Sequence, residues 1–232
     1  MGKTDIRWLS PGDLGALTPG LREDCALVAD LRDPLMLPLL RPAPHALDFK
    51  DETRPGASDR AYFLARRAAL RSLVGLCASC PGEDVRIGYD GPGAPRVLVP
   101  DGVDVSVSGR GALAALAVSS QPVGVDMEVL HKDVEIIRSV LHPQERGQLA
   151  DMYDAEKQRQ FLRIWTAKEA FLKALGLGLT IDPAEVLVDF SDERIEAIRY
   201  KGDIALVAGG LMEAVFEGAL VIAACVVLRQ TR

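Results

Sequence analysis

The chain echoes itself. Residues 68–73 (AALRSL) are matched in type by residues 170–175 (AFLKAL), and residues 111–118 (GALAALAV) by residues 218–225 (GALVIAAC). The two matches come in the same order and at nearly the same offset. Each time a helical stretch is followed by short strand patterns and closed by an apolar strand that opens Gly-Ala-Leu. Such a repeat predicts an α+β fold of two pseudo-symmetric lobes, each a small antiparallel sheet packed with a long helix. Residues 1–120 form the first lobe, with an irregular lead-in over 1–57, and residues 121–232 the second. A ligand cleft is expected between them. A pseudo-dimer within one chain needs no second copy, so a monomer is expected.

The local signals fit this division. Pro11, Pro19, Pro34, Pro38, Pro42, Pro44 and Pro55 punctuate the lead-in, and a helix N-cap is expected at Ser58 or Asp59. The helix that follows, RAYFLARRAALRSLVGL, interleaves Phe63, Leu64, Leu70 and Leu73 with Arg60, Arg67 and Arg71. Strands are predicted at DVRIGY, PRVLV, VDVSVS, GALAALAV and PVGVDMEVL. A mainly helical stretch is expected from about Lys132 to Leu175, with a break at Pro143. Strands return at AEVLVDF, RIEAIRY, GDIALVA and GALVIAACVVL.

Composition excludes some classes. A net charge of −6 argues against a nucleic-acid binder held by phosphate contacts. No apolar run reaches the roughly 18–20 residues of a membrane span, and MGKTDIRWLSPGD lacks the apolar core of a secretion signal. A cytoplasmic protein is the expectation. Cys77 and Cys80 form a CxxC with no second pair and no suitably placed histidine, so reduced cysteines are expected rather than zinc.

Two stretches carry candidate chemistry. In PVGVDMEVL, strand alternation puts Gly124, Asp126 and Glu128 on one face and Val123, Val125, Met127 and Val129 on the other. The two carboxylates are then about 7 Å apart along the strand. In IWTAKEAFLKALGLGL, the i, i+4 spacing stacks Trp165, Glu169 and Lys173 in one stripe. Taken singly, a solvated face and an ordinary Glu–Lys pair account for them. Taken together, three carboxylates without histidine suit Mg²⁺, a hard cation that shares substrate phosphates, with Lys173 placed as a point charge for a phosphate.

VGVDMEVL followed by WTAKEAFLKALGLGL resembles the signature pair of the 4'-phosphopantetheinyl transferases, in their larger two-lobed type. Gly124, Asp126, Glu128, Trp165, Lys168, Glu169, Ala170 and Lys173 meet every fixed position of G-(I/V)-D-x-E and W-x-x-K-E-(A/S)-x-x-K. LHPQERGQL resembles the family's F-x-x-x-E segment. The resemblance implies transfer of 4'-phosphopantetheine from coenzyme A to a serine of an acyl or peptidyl carrier protein, often in secondary metabolism. It implies that Asp126, Glu128 and Glu169 hold Mg²⁺, that Glu169 or Glu128 is the base, and that Lys173 stabilises the pyrophosphate. Lys168 would support the phosphates or the helix start, and GLGLTIDPAEVLVDF resembles the region that docks the carrier.

The first lobe departs from the family pattern. Val107 in SVS stands where the resemblance implies a histidine on a coenzyme A phosphate, Ala94 in GAP where it implies a lysine, and Tyr62 where an arginine is common. Arg60, Arg66, Arg67, Arg71, Arg96 and Arg110 are the neighbouring cations. The expected coenzyme A set is Lys168, Lys173, Arg67, Arg71, Pro95, Ser106 and Ser108. Two alternatives stay open: a degenerate member that binds carrier protein or a coenzyme A-like ligand without transfer, and another Mg²⁺-dependent phosphoester enzyme.

Overall fold

The structure, a computed structural model, describes residues 6–16, 24–44, 60–90, 94–131, 134–192, 194–201, 203–205 and 207–228. The N-cap expected at Ser58 or Asp59 lies outside them. The described chain forms two compact units, Arg7–Gln121 and a second that runs on from Pro122.

The first unit is built on a four-stranded sheet. β1 (Arg7–Leu9) pairs parallel with β2 (Cys25–Asp30), and β2 pairs antiparallel with β6 (Leu113–Ser119). β6 then pairs with β5 (Asp104–Arg110), while β3 (Arg86–Tyr89) and β4 (Pro95–Val99) form a separate hairpin. Helix α1 (Arg60–Ala78) covers one sheet face. Its Ala69, Leu70, Leu73, Val74 and Cys77 share an apolar cluster with Leu27, Ala29, Val105, Leu116 and Val118.

The lead-in is more regular than its prolines suggest. It holds β1, β2 and two short 3-10 helices, Pro11–Ala16 and Pro34–Leu40. Pro11 and Pro34 open those helices, where a missing N–H leaves nothing unpaired. β2 has strand neighbours on both sides and is buried at Cys25–Ala29.

The second unit is an all-antiparallel sheet in the order β10-β9-β11-β12-β7, with β8 added on β9. Its strands are β7 (Val123–Leu130), β8 (Val186–Ser191), β9 (Arg194–Tyr200), β10 (Asp203–Ala205), β11 (Val207–Phe216) and β12 (Ala219–Leu228). Two helices, α2 (Pro143–Ala150) and α3 (Asp154–Leu175), precede β8. Gly176 ends α3 in the left-handed region at φ 69°, its N–H reaching back to the Leu172 and Lys173 carbonyls.

Each unit therefore places a long helix before a set of strands that ends in an antiparallel pair. The last strand also pairs with an earlier one, β6 with β2 and β12 with β7. The expected helix from Lys132 is corrected: within 134–142 the only helical turn is Arg138–Val140. Pro143 sits in the first turn of α2 and biases His142 to the extended backbone that it adopts at ψ 149°. The single strand expected at GDIALVA is corrected to two, β10 paired with β9 and the start of β11, which runs on through Phe216 in a long hairpin with β12.

Candidate active site

The site begins with a glycine. A Cβ on Gly124 would stand 1.8 Å from the Ala170 carbonyl oxygen and 2.6 Å from the Ala174 nitrogen. Only a residue without a side chain lets β7 run this close to α3. Alternation then puts Asp126 and Glu128 on that same helix-facing side of β7. Glu169 and Lys173, each the residue just before one of the contact residues Ala170 and Ala174, stand one turn apart beside the crossing. Gly124 thus gathers four charged side chains that are far apart in sequence.

Their geometry is specific. Lys173 Nζ donates to Asp126 Oδ1 at 2.7 Å and to the Val125 carbonyl at 3.2 Å. Asp126 is buried, at 5% exposure. Glu169 Oε1 is buried without a hydrogen-bond partner. Burial pushes the Glu169 carboxyl above the ordinary glutamate range; Lys173 pulls it down, and the charges of Asp126 and Glu128 push it up. Three carboxylates therefore act on one another, and one carries an unsatisfied buried oxygen. That donor set fits a hard divalent cation. Among the described residues, no three such side chains are already gathered into a closed metal-holding group.

Trp165 lies in the middle of α3, which begins at Asp154. It packs half-buried on the cluster of Leu141, Phe161, Ile164 and Ile222.

Lys168 requires a correction. Its Nζ is wholly buried, 2.6 Å from Glu145 Oε2 and donating to the Val140 and Pro183 carbonyls at 2.9 Å each. All three donors are used, so none remains for a phosphate. Burial is the main cause that lowers its pKa, and the Glu145 carboxylate opposes it. Glu145 is the glutamate of LHPQERGQL, the segment that resembles F-x-x-x-E, and it also closes a capping box in which its carboxylate takes the His142 N–H at 2.8 Å.

The first unit yields further corrections. Arg71 is buried and donates to the Ala43 carbonyl at 3.0 Å. Arg67 is also buried, its guanidinium 4.2 Å from the Tyr89 ring centre and 5.5 Å from that of Phe63. Both arginines serve the interior instead of presenting a cation to solvent. Ser106 and Ser108 share one face of β5, while Val105 and Val107 pack on the apolar cluster of the other. Tyr62 packs on that cluster too. Pro95 opens β4, Ala94 N–H donates to Asp90 Oδ1 at 2.7 Å, and Arg96 pairs with Asp90 and Asp104. Arg66 donates to the Gly111 carbonyl at 2.8 Å. Arg60 and Arg110 are exposed.

The family-model match falls within the second unit. Residues 122–225 match the family model described as the 4'-phosphopantetheinyl transferase superfamily. Three relatives carry 4'-phosphopantetheinyl transferase in their names. Slr0495 of Synechocystis sp. is 28% identical over 62% of this chain and 61% of its own length. HetI of Nostoc sp. is 33% identical over 52% of this chain and 54% of its own. The Bacillus subtilis protein is 25% identical over 56% of this chain and 63% of its own. The chain thus spans less than two thirds of each. The matched residues hold the glycine crossing, all three carboxylates and Lys173, so it is in the stretch that carries these residues that this chain is similar to the 4'-phosphopantetheinyl transferase superfamily.

Proposed function

We propose that the chain transfers the 4'-phosphopantetheine group of coenzyme A to a serine hydroxyl of an apo acyl or peptidyl carrier protein. The observation that carries this reading is the close approach of Gly124 to Ala170, which sets Asp126 and Glu128 beside Glu169 and Lys173. Asp126, Glu128 and Glu169 are the residues that would hold Mg²⁺. When bound, the ion neutralises charge on the pyrophosphate oxygens during displacement at phosphorus.

The chain's own residues supply the rest. Lys173 carries a positive charge on a flexible stem, able to exchange its Asp126 partner for a phosphate oxygen. Glu169 is the base for the serine proton, or Glu128 in its place; burial that raises a carboxyl makes it a better proton acceptor. The serine oxygen bonds to the phosphorus, the pyrophosphate bond breaks, and adenosine 3',5'-bisphosphate leaves. Positioning and charge neutralisation are most of such a catalysis.

A cytoplasmic monomer acting in secondary metabolism is the setting we infer. No described helix is long and apolar enough to cross a membrane. A second reading, a member that binds a carrier without transfer, is favoured by Val107, which packs on an apolar cluster and offers no polar group. Chromatography separates the two. Transfer consumes coenzyme A and releases adenosine 3',5'-bisphosphate only when an apo carrier is present; the binding-only reading predicts neither change.

A further inference from the structure

Helix α3 is gripped from two sides. On one, Ala170 and Ala174 lie against the Gly124 backbone. On the other, Lys168 reaches into a wholly buried polar cluster. At 3.6 residues per turn, Lys168 projects about 160° around the helix from Ala170. Glu169 and Lys173 leave the helix on one flank between these grips, and Ala167 and Phe171 enter the apolar core on the other.

The buried cluster ties four segments to α3. Glu145 Oε2 takes the Lys168 ammonium at 2.6 Å and the His142 N–H at 2.8 Å. Glu145 Oε1 takes the Val188 N–H of β8 at 3.1 Å. Lys168 in turn donates to Val140, ahead of α2, and to Pro183, ahead of β8, at 2.9 Å each. Neither side chain has any exposure. Every donor of the lysine and both oxygens of the glutamate are engaged. A hydrophobic pair would fill the same space without the cost of desolvating two charges. What the ionic pair adds is direction: five hydrogen bonds fix where Lys168 must point.

We infer that Glu145 and Lys168 are positioning residues that set the rotation of α3 and so hold Glu169 and Lys173 toward Asp126 and Glu128. The inference rests on reading those four residues as the reacting site. With the grip lost, the helix can roll on the glycine contact. Because Glu169 and Lys173 lie on the flank, a small roll moves them away from β7.

The test reads the Lys173–Asp126 pair directly. Wild type, Lys168→Met, the milder Glu145→Gln and the core control Ile198→Ala are each pulsed with an amine-acylating reagent. Each pulse is made below the variant's own melting transition, and modification is located by mass spectrometry. Acylation of Lys173 several-fold faster in Lys168→Met or Glu145→Gln, and unchanged in Ile198→Ala, supports the inference. Equal Lys173 reactivity in all four proteins overturns it, as does a rise in the control as large as in the clamp variants.

Mn²⁺ calorimetry on the same proteins separates this from the cation reading. Wild type that takes up no Mn²⁺ counts against the carboxylates as a metal site, and the acylation pattern still decides the clamp. Wild type that binds Mn²⁺ while the clamp variants bind about tenfold more weakly, the size of loss seen for residues that orient metal ligands, supports both.

Discussion

The backbone of Gly124 lies so near that of Ala170 that a methyl group has no room between them: the added carbon would stand 1.8 Å from the carbonyl oxygen. The obstacle is backbone of a helix buried at Ala167, Ala170 and Phe171, so no side chain can swing aside. Gly124→Ala should therefore cost at least the ~1–3 kcal/mol typical of overpacking. It should also separate β7 from α3, so divalent-cation affinity and thermal stability fall together. A variant as stable as wild type by denaturant titration contradicts this account of the crossing.

The two kinds of ion pair in the second unit should behave differently. Lys168 and Glu145 are wholly buried, and removing one partner strands a charge in the interior. Lys168→Met should lose ~3–5 kcal/mol of stability. Arg199 and Asp189 are paired at 2.9 Å but open to water, so Arg199→Ala should shift stability by no more than ~1 kcal/mol. Denaturant midpoints for both variants make the comparison. Equal losses would mean that the buried cluster is not the anchor described.

The pH dependence of Glu169 has a definite sign. Burial is the largest cause that raises its carboxyl above the ordinary 4.5; Lys173 opposes the rise, and Asp126 and Glu128 add to it. A carboxyl raised on folding contributes stability that is fully present below the unfolded value and lost as pH rises through the folded one. At neutral pH the charge at 169 thus opposes folding. Glu169→Gln should melt above wild type at neutral pH in a chelator, and the gap should close as pH falls toward 4.5. A wild type that melts higher than the variant at neutral pH would reverse the sign argued here.

The cysteines offer a check on the first unit. Cys25 and Cys77 are buried, and the Cys25 sulfur together with burial pushes the Cys77 thiol well up. Cys80 is half-buried. An alkylating reagent on native protein should modify Cys80 first and reach Cys77 only on unfolding, since a protonated buried thiol is a poor nucleophile. Early labelling of Cys77, read by peptide mass spectrometry, would contradict the packing of α1 on β2.

Residues whose placement follows from period and spacing were legible in the sequence. Strand alternation put Asp126 and Glu128 on one face, and helix spacing stacked Glu169 and Lys173. The repeated Gly-Ala-Leu openings anticipated β6 and β12 as the strands that close each set. What failed depended on contacts between distant segments. Lys168 has the same local sequence whether it meets a phosphate or Glu145, and only the fold brings Glu145 to it. Arg67 and Arg71 were expected in the coenzyme A set from their place in the first long helix, but tertiary packing buries both. β1 and β2 were hidden among prolines because a short strand needs its neighbours, rather than its own pattern, to form.

One measurement tests the central claim, that the residues gathered at the Gly124 crossing perform phosphopantetheine transfer. Apo carrier proteins are incubated with this chain, coenzyme A and Mg²⁺, and their intact masses are compared with those obtained using Glu169→Gln. The account predicts that a carrier gains the mass of one phosphopantetheine group with the wild type and gains far less, or nothing, with the variant. No gain on any of several acyl and peptidyl carriers, or an equal gain with Glu169→Gln, would contradict it.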